Sequence, residues 1–344
     1  MIITNPKRFL LFPVPIHLKI PRIVIAVKLS FSQERAFLLF EIIFLGTSAS
    51  APSARRNLPA LVVKHEDQRF LIDCGEGTQR QILQSGIGFK RLNRILITHG
   101  HLDHILGLAG LLSTYLRWEA IDSLEIYGGK SALDRIRDLL YGVVLRGSSA
   151  PMPVQFIPVT TGVILQEGDL TISAFNVQHR GPDCLGFVFE EKGRRPFLPE
   201  KAEVLGIPPG PWRRDMVDGK AVTLPDGRVI EPDQVLGEYK PGTRLVVIGD
   251  VGEVDSLVDI CRGADALVME ATYLDEEADM AKQFSHMTAR RSAGLAEKAG
   301  VRALYLTHFS RRYREKDIIA EAQSVYPDAI IARDFDTFQV KHAE

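Results

Sequence analysis

The chain has 344 residues, a formal net charge of −1, 45% hydrophobic residues and 25% charged residues, the composition of a soluble globular protein. That length supports a large core, as one big domain or two small ones. The near-neutral charge excludes a protein-wide field that would draw in a polyanion, so any nucleic-acid site must come from local patches and metals. Cys74, Cys184 and Cys261 are far apart with no C-x-x-C pair, which favours a reducing, cytoplasmic compartment and argues against a thiolate zinc site.

Residues 1–40 are apolar and basic (Lys7, Arg8, Lys19, Arg22, Lys28) and broken by Pro13, Pro15 and Pro21. The longest uncharged run, 9–18, is too short to span a bilayer. No small-residue cleavage site follows at the usual distance. This segment is expected to be a poorly ordered extension or an overlong start, with no membrane anchor.

The main domain is expected over 41–344. Residues 41–45 read as a strand ending in the polar turn 46–50, and Pro52-Ser53-Ala54-Arg55-Arg56-Asn57 follows as a loop. Residues 58–64 and 69–72 read as a hairpin ending at Asp73-Cys74-Gly75-Glu76-Gly77-Thr78-Gln79, where the glycines permit a turn other residues resist. A helix starts at Gln79. Residues 94–97 form a buried strand and 105–118 a helix. Between them lies Thr98-His99-Gly100-His101-Leu102-Asp103-His104, which holds three of the nine histidines.

His99 and His101, two apart in an extended segment, can point the same way. Asp103 and His104 are adjacent and turn elsewhere as the helix begins. One loop can therefore feed two neighbouring metal ions. Nitrogen and oxygen donors without thiolate suit Zn2+, with Mn2+ or Fe2+ as alternatives.

The same grammar recurs downstream, where apolar strands end on a ligand type. Residues 170–177 lead to His179, 244–248 to Asp250, 266–269 to Glu270 and 303–306 to His308. In an α/β sheet, chemistry gathers at the carboxyl ends of strands. Helices over 131–140, 254–262, 288–299 and 315–326 would supply covering layers.

The pattern H-x-H-x-D-H resembles the signature of the metallo-β-lactamase superfamily. The resemblance implies an α/β fold, a four-layer αβ/βα sandwich with metals at one edge between the two sheets. His99, His101 and His179 would then hold one metal; Asp103, His104 and His308 the other; and Asp250 would bridge.

Further segments resemble the ribonuclease Z family of tRNA 3′-processing endoribonucleases. They are the 52–57 loop, the 73–79 turn, Leu205-Gly206-Ile207-Pro208-Pro209-Gly210-Pro211, Phe284-Ser285-His286-Met287-Thr288-Ala289 and His308-Phe309-Ser310-Arg311-Arg312-Tyr313. The insertion 190–240 is rich in Pro and Gly with little apolar periodicity. Between Lys192 and Lys220 it carries seven basic and four acidic residues.

By resemblance the insertion is a protruding arm that grips tRNA away from the catalytic centre. Gly206, Pro208, Gly210 and Pro211 lie in the candidate exosite, with Trp212 stacking or anchoring the arm. The resemblance further implies two Zn2+ per subunit, a homodimer and precursor tRNA as substrate, cut after the discriminator nucleotide to leave a 3′-hydroxyl. Asp103 would orient or deprotonate the nucleophile, His286 would protonate the leaving oxygen, and Glu270 would orient His286. Arg55, Arg56 and Asn57 would contact RNA near the cut.

The chain departs from the family pattern at Val251, where Thr is common, and at Met287, where Ser is common. Both departures are expected to alter hydrogen bonds that orient ligands. The alternative reading is a general phosphodiesterase or 3′-exoribonuclease on the same metals.

Overall fold

The structure, a computed structural model, describes residues 40–341. The expectation for the N-terminal extension therefore lies outside the described residues, except that Phe40 already belongs to the first strand.

In chain order the first half contains β1 (Phe40–Gly46), β2 (Ala60–His65), β3 (Gln68–Ile72), α1 (Thr78–Ser85), β4 (Arg94–Leu96), α2 (Leu102–Ile105) and α3 (Gly107–Trp118). It continues with β5 (Leu124–Gly128), α4 (Lys130–Arg137), a π-helical turn over Asp138–Val144 and β6 (Val154–Pro158). The second half opens with β7 (Gly162–Glu167), β8 (Leu170–Asn176) and β9 (Leu185–Glu191). The inserted arm follows, with α5 (Pro199–Val204), α6 (Pro211–Val217), β10 (Val222–Thr223) and β11 (Val229–Ile230). Then come β12 (Arg244–Ile248), α7 (Val258–Cys261), β13 (Ala266–Glu270), α8 (Ala278–Phe284), α9 (Ala289–Ala299), β14 (Leu304–Thr307), α10 (Glu315–Gln323), β15 (Ile330–Ile331) and β16 (Thr337–Val340).

Two seven-stranded sheets result, ordered β16-β1-β2-β3-β4-β5-β6 and β15-β14-β13-β12-β9-β8-β7. In each half, antiparallel strands come first and parallel strands follow: β3 to β6 in one, β12 to β15 in the other.

The strand period of two explains the layering. Phe44, Phe70, Ile72, Phe187, Phe189, Leu245 and Val247 point between the sheets and form the central core. Their neighbours Ile43, Leu45, Leu71 and Ile95 point outward onto α1, α3 and α4. Val246, Ile248, Leu267 and Met269 point outward onto the helices of the second half. Strands buried on both faces read as unbroken apolar runs, as seen here. The expected αβ/βα sandwich is the observed architecture. Truncating a central ring such as Phe187 would cost about 3–5 kcal/mol.

Residues 190–240 carry a small core of their own, with Ala202, Ile207, Met216, Val222, Leu224, Ile230 and Val235 buried together. Phe197, Leu205 and Trp212 pack against them, so Trp212 anchors the arm. Its helices are too short to leave a periodic signature. The arm leaves after Glu191 and returns at Arg244. Leu185, at the other end of β9, donates its amide N–H to the Thr98 carbonyl beside the histidine loop. The arm is thus rooted at the strand ends away from that loop.

Candidate metal centre

The loop after β4 carries His99 and His101 in extended backbone, and α2 then lifts Asp103 and His104 from its first turn. The helix begins at Leu102, earlier than the apolar periodicity alone predicts. His179 follows β8, Asp250 follows β12 and His308 follows β14. These residues meet at one edge between the two sheets.

His99, His101, His179 and Asp250 each offer a ligand atom within 4.8 Å of the others, and so do Asp103, His104 and His308. Asp250 faces both groups. Its Oδ2 lies 3.7 Å from His99 Nε2 and 3.8 Å from His179 Nε2; its Oδ1 lies 3.4 Å from His104 Nε2 and 3.2 Å from His308 Nε2. All seven residues predicted as ligands therefore converge. Three of the buried atoms at this point, His104 Nε2, Asp250 Oδ1 and His308 Nε2, have no hydrogen-bond partner among the described residues. Orphaned polar atoms that aim at one another are costly unless a cation satisfies them. Imidazole and carboxylate donors without thiolate fit a divalent transition metal.

The electrostatics agree. Burial drives His99 well below the usual histidine range, and burial likewise lowers His101 and His179. Burial opposes charge on His104, yet the Asp250 and Asp73 carboxylates outweigh it and raise the group well above that range. Burial also works against ionisation of Asp250, but His308 and His104 hold it well below the usual carboxylate range. Asp103 is lowered against its burial by the imidazoles beside it, His308 with its Nε2 3.8 Å from Oδ2 and His104. The two carboxylates thus sit as anions among imidazoles, a site that calls for positive charge.

A second tier of residues fixes these ligands. Asp73 directly follows β3, is almost fully buried, and accepts from the Thr98 amide at 2.8 Å and the Thr98 hydroxyl at 2.7 Å. Its Oδ2 lies 2.7 Å from His104 Nδ1. No role was foreseen for Asp73, although it follows a strand as the other site residues do. Thr272, also unforeseen, donates to Glu270 at 2.5 Å and sits 2.9 Å from His308 Nδ1. The Ser50 amide donates to Asp103 Oδ2 at 3.0 Å, and His179 Nδ1 lies 2.7 Å from the Ser285 carbonyl.

Glu270 is a hub with no solvent exposure. It accepts from the Val251 amide at 2.7 Å and the Met287 amide at 3.2 Å, and both its oxygens lie 3.1 Å from His286 Nδ1. Burial opposes charge on His286, but Glu270 raises its pKa to about 9. Val251 and Met287 bond Glu270 through their backbone amides only. Both side chains are wholly buried among apolar neighbours, and the bonds at these positions come from backbone amides that any residue supplies.

Ser50, Asp73, Ser285 and His308 all have φ between +56° and +58°, a sparsely populated region for such residues. Strain of this kind persists where surrounding structure over-determines it, and it clusters at functional sites. Gly75 is required for a different reason from the turn conformation expected of it. A Cβ there would come within 2.5 Å of the Asp103 carbonyl oxygen; Gly77, at φ +85°, is the one that needs the left-handed region.

The substrate-binding candidates divide. Arg56 departs from the expected RNA contact: its side chain is about 10% exposed, and its guanidinium bonds Thr47, the Ala332 carbonyl and Glu315. It anchors the 52–57 loop to the C-terminal strands. The Asn57 amide donates to Asp334 at 2.6 Å, which serves the same anchoring. Arg55 is exposed. Gly206, Pro208, Gly210 and Pro211 are exposed on the arm.

Residues 231–309 match the Beta-lactamase superfamily domain, and residues 40–194 match the family described as Anti-Pycsar protein Apyc1. The metallo-β-lactamase fold protein YhfI from Bacillus subtilis superposes with a TM-score of 0.63 at 17% identity, covering 88% of this chain and 99% of that one. Human tRNase Z, short form, superposes with a TM-score of 0.61 at 25% identity, covering 88% of this chain and 100% of that one. Ribonuclease Z of Bradyrhizobium diazoefficiens is 47% identical over 298 residues, 87% of this chain and 99% of that protein. Ribonuclease Z of Archaeoglobus fulgidus is 36% identical over 310 residues, 89% of this chain and 100% of that protein. With both sheets, the edge cluster and the arm spanned by such relatives, the chain has the metallo-β-lactamase fold and belongs to the ribonuclease Z family.

Proposed function

We propose that the protein is a dizinc endoribonuclease that removes the 3′ trailer from precursor tRNA, cutting after the discriminator nucleotide. The observation that carries this reading is the convergence of seven imidazole and carboxylate donors at one sheet edge, in a member of the ribonuclease Z family. His99, His101 and His179 would hold one cation, Asp103, His104 and His308 the other, with Asp250 between them. When bound, two divalent cations supply Lewis acidity, lowering the pKa of water and offsetting charge on a phosphate.

The chain's own groups do the rest. Asp103, held by the Ser50 amide, orients the attacking water and takes its proton. His286, oriented by Glu270, donates a proton to the 3′ oxygen of the upstream nucleotide as the P–O3′ bond breaks. The products are a tRNA with a 3′-hydroxyl and a trailer with a 5′-phosphate.

Arg55 offers a solvent-facing charge near the cut. The arm supplies a second grip. Gly206, Pro208, Gly210 and Pro211 form an exposed turn, and the exposed Lys201, Arg214 and Lys220 lie on the same unit. Folded RNA is recognised through shape and phosphates, and two distant contacts set the cut position. The rooting of the arm at the far strand ends supports a homodimer in which one subunit's arm serves the other's site. Among the described residues no helix is long and apolar enough to cross a membrane. The buried free cysteines fit a reducing cytoplasm.

The test is a precursor tRNA with a 3′ trailer, assayed with wild type, His104→Ala and a deletion of residues 206–219. One cut at the discriminator is expected for wild type; stepwise trimming would favour an exonuclease. His104→Ala should lose all phosphodiester cleavage. The deletion should keep hydrolysis of a nitrophenyl phosphodiester and lose tRNA. Equal loss of both activities in both variants would refute the arm assignment.

A further inference from the structure

Five arginines stack on an aromatic ring among the described residues, and four are tied into the fold. Arg56 bonds Glu315, Arg94 bonds Glu167, Arg137 bonds Asp134 and Arg213 bonds the Ile207 carbonyl. Arg180 differs. Its guanidinium lies 5.6 Å from the centre of the Phe284 ring and makes no hydrogen bond or ion pair among the described residues. Arg180 is exposed, and Phe284 is 36% exposed.

The position of the pair gives it meaning. Arg180 directly follows His179, and Phe284 stands two residues before His286. The two segments are joined by the His179–Ser285 hydrogen bond, and the His179 and His286 rings lie 5.0 Å apart. Ser285, at φ +56°, packs so closely on Gly252 that a Cβ there would come within 2.9 Å of the Ser285 Cβ. The backbone that carries Phe284 is therefore held against the metal cluster. Tyr273 lies on the same side, its ring 6.0 Å from that of His286. An aromatic face and a set of unengaged N–H donors thus stand at the lip of the site beside His286. Aromatic rings and guanidinium planes are the groups on which unpaired bases stack, largely without regard to sequence.

We propose that Arg180 and Phe284 form a stacking platform for the base of the nucleotide whose 3′ oxygen leaves, the last nucleotide of the cleaved tRNA. This rests on the functional reading above, in which His286 protonates that oxygen and so places its nucleoside on the His286 side. Phe284 supplies the stacking face. Arg180 holds that face on one side and offers its N–H groups to the base edge or an adjacent phosphate. A platform of this kind grips any discriminator base, as an enzyme acting on many tRNAs requires.

The test is equilibrium binding of a cleaved tRNA ending in its discriminator nucleotide, beside the same RNA ending in an abasic nucleotide. The zinc-loaded wild type, Phe284→Ala, Phe284→Tyr and Arg180→Ala proteins are compared. Wild type is expected to bind the abasic RNA about tenfold or more weakly. Phe284→Ala should bind both RNAs equally, Phe284→Tyr should keep the preference, and Arg180→Ala should lose part of it. An undiminished preference in Phe284→Ala overturns the platform, as does a dependence on the first trailer base of an uncut precursor instead. If wild type neither binds nor cuts precursor tRNA, the functional reading falls and the platform with it. If cutting is intact and Phe284→Ala keeps its preference, only the platform falls.

Discussion

The metal-bearing edge and the arm are built in opposite ways. The edge gathers side chains from strand ends in both halves, holds them with long-range hydrogen bonds, and keeps four non-glycine residues at positive φ. A core that fills the space between two seven-stranded sheets stands behind it. The arm draws on one continuous stretch and has seven buried apolar side chains of its own. A large core can over-determine strained, buried polar groups; a small one cannot, and its local stability is low. Rigidity is thus concentrated at the candidate metal edge, and compliance in the inserted unit, which the proposed reading assigns to gripping RNA.

The strongest way to break this contrast is Met216→Ala, at a fully buried position of the arm. Loss of a buried methionine costs about 2–5 kcal/mol, enough to open so small a core. Hydrogen exchange should accelerate across the arm, and tRNA cleavage should fall at least about tenfold by population of the open arm. The main thermal transition should barely move. If that transition drops as well, the arm is not an independent unit.

A smaller effect is expected at the edge from Asp73→Asn. The carboxylate that orients His104 and Thr98 would be replaced by a group with half its acceptor capacity. Metal affinity, measured by chelator competition, should fall about 10–100-fold with little change in fold. An unchanged affinity would show that His104 needs no such support.

The smallest effect lies at the arm's root, far from the metals. His65 and Glu191 meet between the sheets, 4.0 Å apart, with side chains 4% and 8% exposed. Burial lowers His65 and pushes the Glu191 carboxyl up to about 7. The folded chain therefore keeps a proton on Glu191 that the unfolded chain loses first, whereas His65 sheds its proton on folding and works in the opposite sense without cancelling the carboxyl's effect. Stability should fall as pH rises from about 4.5 to 7 and level off above that. Glu191→Gln should abolish this fall and gain about 1–2 kcal/mol at pH 8, after discounting for partial screening by solvent. Urea unfolding at pH 5 and pH 8 checks it, and parallel losses in both proteins would contradict it.

Much of the edge was legible because its chemistry is written locally. Three histidines and an aspartate fall within one short loop, and His179, Asp250 and His308 each follow an apolar strand. What stayed hidden depends on partners far away in sequence. Arg56 looks like a free surface cation until Glu315 and the Ala332 carbonyl come beside it. Asp73 looks like a turn residue until Thr98 and His104 reach it. Val251 and Met287 look like altered polar contacts, but their side chains turn inward and only their amides face Glu270. The arm's helices escaped notice because two turns carry too little periodicity to stand out among glycines and prolines.

The division of the candidate ligands between the two sheets sets a timetable for synthesis. A ribosome completes His99, His101, Asp103 and His104 early, but His308 comes more than two hundred residues later. β16, one of the last strands made, pairs with β1, the first described. A nascent chain therefore carries only a partial cation site beside the message and the RNAs around it. Competence to cut arrives once, near the close of translation, when both sheets can dock.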